Sequence, residues 1–271
     1  MSRPQLEAFF LHAPGGYRFC LLHRCTGSRR GSVLFVHAFA EEMNKSRRMA
    51  ALQSRALAAA GFDVLQIDLL GCGDSSGAFG EATWNDWLAD VALGAQALAS
   101  CSDGPYWIWG QRIGALLACE AVRASARPVR LALWHPVTAG AQFLNQFLRM
   151  KVVSESGGDP GARADTRALR AALARGEPVE VGGYRLSAQL AIGLDRSTLL
   201  APPAGSQVCW FDVVYADGAA PPAASVRTTQ AWSAQGLDVT HRTVAGPPFW
   251  QTQEITECEA LIAQTLQAMC A

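Results

Sequence analysis

The chain has 271 residues, half of them hydrophobic and 17% charged, which excludes intrinsic disorder and supplies enough apolar material for a large core. Lysine and arginine together number 23, against 23 aspartates and glutamates, and a zero formal charge argues against a broad nucleic-acid footprint. No apolar run approaches the ~20 residues of a membrane-spanning helix, and the start Met1-Ser2-Arg3-Pro4-Gln5-Leu6-Glu7 lacks a secretory layout, so the expectation is a soluble, cytoplasmic protein.

A hairpin is predicted first. Glu7–Leu11 and Tyr17–Leu22 flank Pro14-Gly15-Gly16, which supplies turn chemistry. Ser32–Val36 is a short continuous apolar run, as in a strand buried on both faces. A helix is expected over Asn44–Ala60, stopped by Gly61, and then a strand over Asp63–Asp68. Trp84–Ala99 reads as helix, Tyr106–Trp109 as strand, Ile113–Ala124 as helix and Val129–Trp134 as strand. This alternation implies parallel β-α-β units with helices on both faces of a doubly wound sheet.

From Gln142 to Leu200 the rhythm breaks. Phe143, Leu144, Phe147, Leu148 and Met150 recur at helical spacing, and Ser156–Ala164 reads as a Gly-rich linker. A short helix over Thr166–Arg175, a small hairpin over Val179–Leu186 and a helix over Ala188–Leu194 follow. The expected organisation is therefore a core of residues 1–141 and 201–271 with a cap inserted at 142–200. Three roles are open to the cap's apolar stripe: packing on the core, lining a pocket, or forming a homodimer contact. The alternation then resumes with strand Val208–Val214, helix Ser225–Gln235, strand Val239–Val244 and helix Gln253–Met269, with Thr252 as its N-cap.

Cys20, Cys25, Cys72, Cys101, Cys119, Cys209, Cys258 and Cys270 are scattered without a C-x-x-C pair or zinc spacing, so neither a metal nor a cofactor is expected. Of the 23 basic residues, 21 are arginine, spread along the chain as a bias of composition.

In open parallel sheets, ligands bind at the carboxyl ends of the strands, so the loops there carry the functional reading. After Val36 comes His37-Ala38-Phe39-Ala40-Glu41-Glu42-Met43-Asn44-Lys45, where backbone N–H groups can form half an oxyanion hole. Glu41 and Glu42 either cap the following helix or bind a ligand with Lys45. Asp68-Leu69-Leu70-Gly71-Cys72-Gly73-Asp74-Ser75-Ser76-Gly77 is a tight turn in which Ser75 and Cys72 read as structural.

Gly110-Gln111-Arg112-Ile113-Gly114 has the G-x-x-x-G frame of a nucleophile elbow between a strand and a helix, but its middle residue is Arg112. A guanidinium stays protonated and cannot attack a carbonyl. Arg112 either holds an anionic group of a ligand at the helix N-terminus or pairs internally with Asp68, Glu41 or Glu42. Asp217 stands where a triad acid belongs, although Asp-Gly is also ordinary turn chemistry. Ala245-Gly246-Pro247-Pro248-Phe249-Trp250-Gln251 holds no histidine and reads as a rigid recognition surface through Trp250 and Gln251. His241 comes too early, while His135, like His37, sits at a strand end as a candidate acid or base.

From about Ala8 to the C-terminus this order of strands, turn, elbow and cap resembles the α/β-hydrolase superfamily. His37-Ala38-Phe39-Ala40-Glu41-Glu42-Met43-Asn44-Lys45-Ser46-Arg47-Arg48-Met49 and Pro247-Pro248-Phe249-Trp250-Gln251-Thr252-Gln253-Glu254-Ile255 are similar to the second type of exosortase-A-system-associated hydrolases. The resemblance implies a bacterial protein accompanying exopolysaccharide and exosortase (PEP-CTERM) sorting genes. The superfamily's serine falls on Arg112 and its histidine near Pro248, so neither role carries over.

Two functions remain open. One is hydrolysis or acyl transfer on an ester or acyl-carbohydrate, with water activated by His135, His37 or Glu41, and Arg112 with loop N–H groups holding the oxyanion. The other is a non-catalytic protein that binds an anionic small molecule or a protein partner beneath the cap, through His37, Ala38, Phe39, Glu42, Lys45, Gln111, Arg112, Trp250 and Gln251.

Overall fold

A computed structural model describes residues 5–100, 104–123, 127–156 and 162–271. Cys101 and most of the expected Gly-rich linker lie outside them. The N-terminal hairpin forms as β1 (Leu6–Ala13) and β2 (Gly16–His23). The alternating burial of β1 suits a strand at the sheet edge. β3 (Gly31–Val36) and β4 (Phe62–Ile67) flank the long helix α1 (Glu41–Ala59), which begins three residues earlier than the apolar spacing predicts. α2 (Trp84–Ala99) opens on a capping box, the Thr83 hydroxyl accepting from the Asp86 N–H at 3.2 Å while the Asp86 carboxylate accepts from the Thr83 N–H at 2.9 Å. β5 (Tyr106–Gln111), α3 (Gly114–Arg123) and β6 (Arg130–Trp134) follow.

Between β6 and β9 (Gln207–Val214) the chain leaves the sheet. It forms α4 (Gly140–Ser156), α5 (Ala162–Ala174), the hairpin β7 (Val179–Val181) and β8 (Tyr184–Leu186), and α6 (Ala188–Arg196). α7 (Ala223–Ala234), β10 (Asp238–Ala245) and α8 (Glu259–Cys270) complete it. The last helix starts six residues later than the sequence pattern predicts. Thr252 does not cap it; its hydroxyl donates to the carbonyls of Phe249 and Glu254, holding a turn of its own.

The eight-stranded sheet runs β1-β2-β4-β3-β5-β6-β9-β10, parallel from β4 to β10, with β2 antiparallel to both of its neighbours. Its two faces bury separate cores. Leu34, Val36, Ile67, Leu133 and Trp210 meet α2, α3 and the insertion, whereas Val33, Phe35, Trp107, Trp109, Trp134 and Phe211 meet α1 and α8. A strand covered on both sides must be apolar throughout, which is why β3 reads as an unbroken hydrophobic run.

The insertion is anchored above the carboxyl end of the sheet. Phe143 and Phe147 of α4 meet the Phe39 ring edge-to-face at 5.5 and 5.0 Å, and Leu144 and Leu148 are buried beside them. Tyr184 of β8 packs on Phe79 at 5.1 Å and reaches the start of α1 through its hydroxyl.

The Asp68–Gly77 turn is held as its residue types suggest. Ser75 donates its hydroxyl to the Asp68 carbonyl at 2.5 Å and accepts the Phe19 N–H at 2.8 Å, tying the turn to β2. Cys72 is buried, which pushes its thiol pKa well up and keeps it in the unreactive protonated form.

Candidate functional site

The elbow between β5 and α3 sets the site. A Cβ on Gly110 would stand 2.7–2.9 Å from the backbone of Gly114 and Ala115, and one on Gly114 would stand 2.2 Å from the Val36 carbonyl oxygen. Only glycine fits at either end. Between them Arg112 adopts φ 54°, a left-handed conformation that non-glycine residues take at a cost. Its N–H donates to Trp134 and its carbonyl accepts from Ala115 and Val137, so the backbone on both sides holds the turn.

The Arg112 side chain is nearly enclosed. Its Nε and one Nη donate to the Glu42 carboxylate at 3.0–3.2 Å, and the other Nη donates to the His135 carbonyl at 3.2 Å. The guanidinium carbon lies 5.1 Å from the Trp250 ring centre and 5.9 Å from that of Phe143. Of the internal partners open to Arg112, the structure uses Glu42. Burial pushes the Glu42 carboxyl up, and the guanidinium pulls it the other way.

Above this pair lies a cavity of about 420 Å³. Phe39, Phe143, Phe147, Met150 and Trp250 supply its apolar wall, and Glu41, Glu42, Lys45, Arg112, Gln146 and Gln251 its polar groups. Seven residues singled out in the sequence thus converge: Phe39, Glu41, Glu42, Lys45, Arg112, Trp250 and Gln251. Glu41 and Glu42 lie in the first turn of α1 but make no side-chain capping bond there. Instead the Glu41 carboxylate accepts from Asn44 at 3.2 Å and from the Tyr184 hydroxyl at 3.3 Å. Gln146 escaped the sequence reading, whereas Phe143, Phe147 and Met150 entered it only as the apolar stripe of the insertion, and lining a pocket was one of the roles open to that stripe.

The other candidates stand outside the cavity lining. His37 is buried; its Nδ1 donates to the Ala38 carbonyl at 2.7 Å and its Nε2 accepts from the Leu69 N–H at 3.3 Å. Ala38 is buried beside it, and Gln111 donates to the Ser46 hydroxyl at 2.7 Å beneath the elbow. His135 adopts φ 40°, lies against Trp250 with ring centres 4.7 Å apart, and accepts the Val213 N–H on Nδ1 at 3.1 Å. Burial, reinforced by the Arg112 charge, lowers its pKa to about 4. Asp217 lies exposed in the turn after β9.

The acid on β9 that does touch histidines is Asp212, which the sequence reading passed over. It is fully buried and accepts from Trp210 at 3.1 Å, from Ser225 at 3.1 Å and from His241 at 2.7 Å, with His135 Nδ1 at 3.6 Å. Its signal was an aspartate inside an otherwise apolar strand.

Relatives share this architecture. A carboxyl esterase from Bacillus coagulans superposes with a TM-score of 0.68 at 14% identity, covering 98% of this chain and 96% of that one. Est1E from Butyrivibrio proteoclasticus, solved with ferulic acid bound, gives 0.68 at 18% identity over 97% and 98%. A lidless α/β serine hydrolase from Xanthomonas campestris gives 0.57 at 14% identity over 98% and 95%. The chain has the α/β-hydrolase fold. A family model described as serine aminopeptidase, S33, matches residues 27–155, from before β3 into α4. Comparison with curated protein sequences finds no match.

The elbow between β5 and α3 presents an arginine held by a glutamate. The loop after β10 carries Pro247, Pro248 and the buried pair Phe249 and Trp250. Among the described residues no helix is long and apolar enough to cross a membrane.

Proposed function

We propose that this protein binds a small ester, acyl or acyl-carbohydrate compound in the cavity over the elbow, beneath the inserted segment acting as a cap, without turnover through a serine nucleophile. One observation carries this reading. Arg112 occupies the nucleophile position and is bound by Glu42, His135, Trp250 and Phe143 at the floor of a cavity with an apolar wall. A cavity of this size with a few convergent polar groups is the usual form of a small-molecule site.

Placement alongside exosortase and exopolysaccharide genes belongs to the same proposal. Both stretches that resemble that family contribute to the cavity, residues 37–49 through Phe39, Glu41, Glu42 and Lys45, and residues 247–255 through Trp250 and Gln251.

The fold match and the esterase relatives favour a second reading, water-mediated hydrolysis or acyl transfer. For that chemistry the acceptor nitrogens of His37 and His135 are already taken by backbone N–H groups. Glu41 is then the carboxylate left to activate water within the cavity, beside Arg112 as the electrophilic partner.

Fluorophosphonate labelling, short-chain ester assays and native mass spectrometry of the purified protein test these readings together. Binding without turnover leaves every serine unlabelled and shows a non-covalent adduct that Arg112→Ala loses. Labelling of any serine overturns the first reading, whereas ester turnover abolished by Glu41→Gln establishes the second.

A further inference from the structure

Of the 23 basic residues only two are lysines, Lys45 and Lys151. In a chain that uses arginine almost everywhere else, one of those two lines the cavity.

The charges there are not equally satisfied. Arg112 is neutralised by Glu42 through three short contacts. Glu41 stands four residues before Lys45, the spacing at which a glutamate and a lysine pair on a helix. They do not pair. The Glu41 carboxylate is turned to Asn44 and to Tyr184, which the insertion brings across to α1. Among the described residues the Lys45 ammonium therefore has no carboxylate and no hydrogen-bond partner, although it borders a cavity with four aromatic rings in its wall.

We infer that the cavity takes an amphiphilic anion, its carboxylate or phosphate on Lys45 and its acyl or aromatic body between Phe39, Phe147 and Trp250. This rests on the reading of the cavity as a ligand site and moves the anion anchor from Arg112 to Lys45. Arg112 keeps two guanidinium N–H bonds beyond those it spends on Glu42 and His135, so it assists as a donor while its charge stays balanced. The ammonium is a compact point charge suited to either anion.

The test compares decanoate, decyl phosphate and decanol by calorimetric titration and Trp fluorescence with the whole protein. Both anions are expected to bind about tenfold or more tightly than decanol, the difference made by one charge-assisted contact. Lys45→Gln should bring the anions down to the decanol level, and Lys45→Arg should retain most of the preference. Decanol binding as tightly as the anions, or a preference that survives Lys45→Gln, overturns the assignment while leaving the cavity a ligand site. Failure of all three compounds to bind removes both.

Discussion

At the scale of single residues, the pairing of Arg112 with Glu42 is the feature that most sets the site apart. Each partner is largely withdrawn from solvent, at 12% and 18% exposure, so losing one leaves the other charged and poorly solvated. Arg112→Ala is expected to destabilise the fold by about 2 kcal/mol, the scale of a hydrogen-bonded charge pair. Glu42→Ala should cost a similar amount, and the double variant clearly less than their sum. Urea unfolding of the four proteins reads the coupling directly; strict additivity would mean that the pair contributes nothing. A second residue-scale consequence concerns acid. The pKa values of His135 and His23 are both lowered to about 4, chiefly by burial, with Arg112 adding to the first and Arg55 to the second. An unfolded imidazole titrates near 6.5, so between about pH 6.5 and 4 the unfolded chain takes up protons that the folded chain refuses. Stability therefore falls as pH drops through that window, by up to about 3 kcal/mol for each group. Unfolding midpoints taken at pH 7, 5.5 and 4.5 should show a shallower fall in His135→Gln than in the wild type. Parallel curves would place the His135 pKa at its ordinary value.

At the scale of elements, two junctions hold the sheet's working end together. The first is the elbow. With a Cβ on Gly114 placed 2.2 Å from the Val36 carbonyl, Gly114→Ala must force β3 and α3 apart. Overpacking of this kind costs about 1–3 kcal/mol where neighbours can give, and backbone gives less than side chains do. Thermal unfolding should show that loss, whereas Gly182→Ala, with open space at its Cβ but a positive φ, should cost only the backbone strain. The second junction is the ion pair of Arg18 on β2 with Asp90 on α2, at 2.6 Å and almost wholly buried. Asp90 also accepts the Leu70 N–H at 2.7 Å, so one carboxylate joins the hairpin, the helix and the Gly-rich turn. Asp90→Ala is expected to cost about 3–5 kcal/mol by leaving a buried guanidinium unpaired, a loss that chemical denaturation would reveal.

Neither partner of that ion pair was legible in the sequence, because pairing across 72 positions leaves no local pattern. The elements themselves were legible wherever period and turn chemistry agreed, as in the first hairpin, with Pro14-Gly15-Gly16 at its turn, and β3, with its unbroken apolar run. The start of α8 was not. Gln253 to Glu257 carry helix-compatible residues, but the turn fixed by Thr252 and the preceding prolines delays the helix to Glu259. Asp217 has the local signature of an acid at a strand end, whereas the contacts of Asp212 with Trp210, Ser225 and His241 are made by the fold and leave no local pattern beyond an aspartate in an apolar strand.

At the scale of the whole molecule, the proposal of binding without serine turnover bears on several elements at once. If Arg112 were the sole obstacle to such turnover, Arg112→Ser would confer ester hydrolysis on this fold. Three separate elements argue that it does not. The loop after β10 supplies Pro248 and the buried Phe249 and Trp250, none of which can serve as a base. After β9 the exposed Asp217 has no histidine to orient, and the buried Asp212 is already shared among Trp210, Ser225 and His241. His135, whose own carbonyl accepts from Arg112, has its acceptor ring nitrogen bound to the Val213 N–H and a pKa of about 4. A general base must both reach the proton and hold a free lone pair near the working pH. Removing Arg112 also strands Glu42, whose negative charge at the elbow disfavours a developing oxyanion. Arg112→Ser is therefore expected to hydrolyse p-nitrophenyl acetate no faster than Arg112→Ala, and to show no acyl-enzyme burst. A burst confined to the serine variant would show that the imidazole of His135 swings free of Val213 and that the fold keeps a working base in reserve.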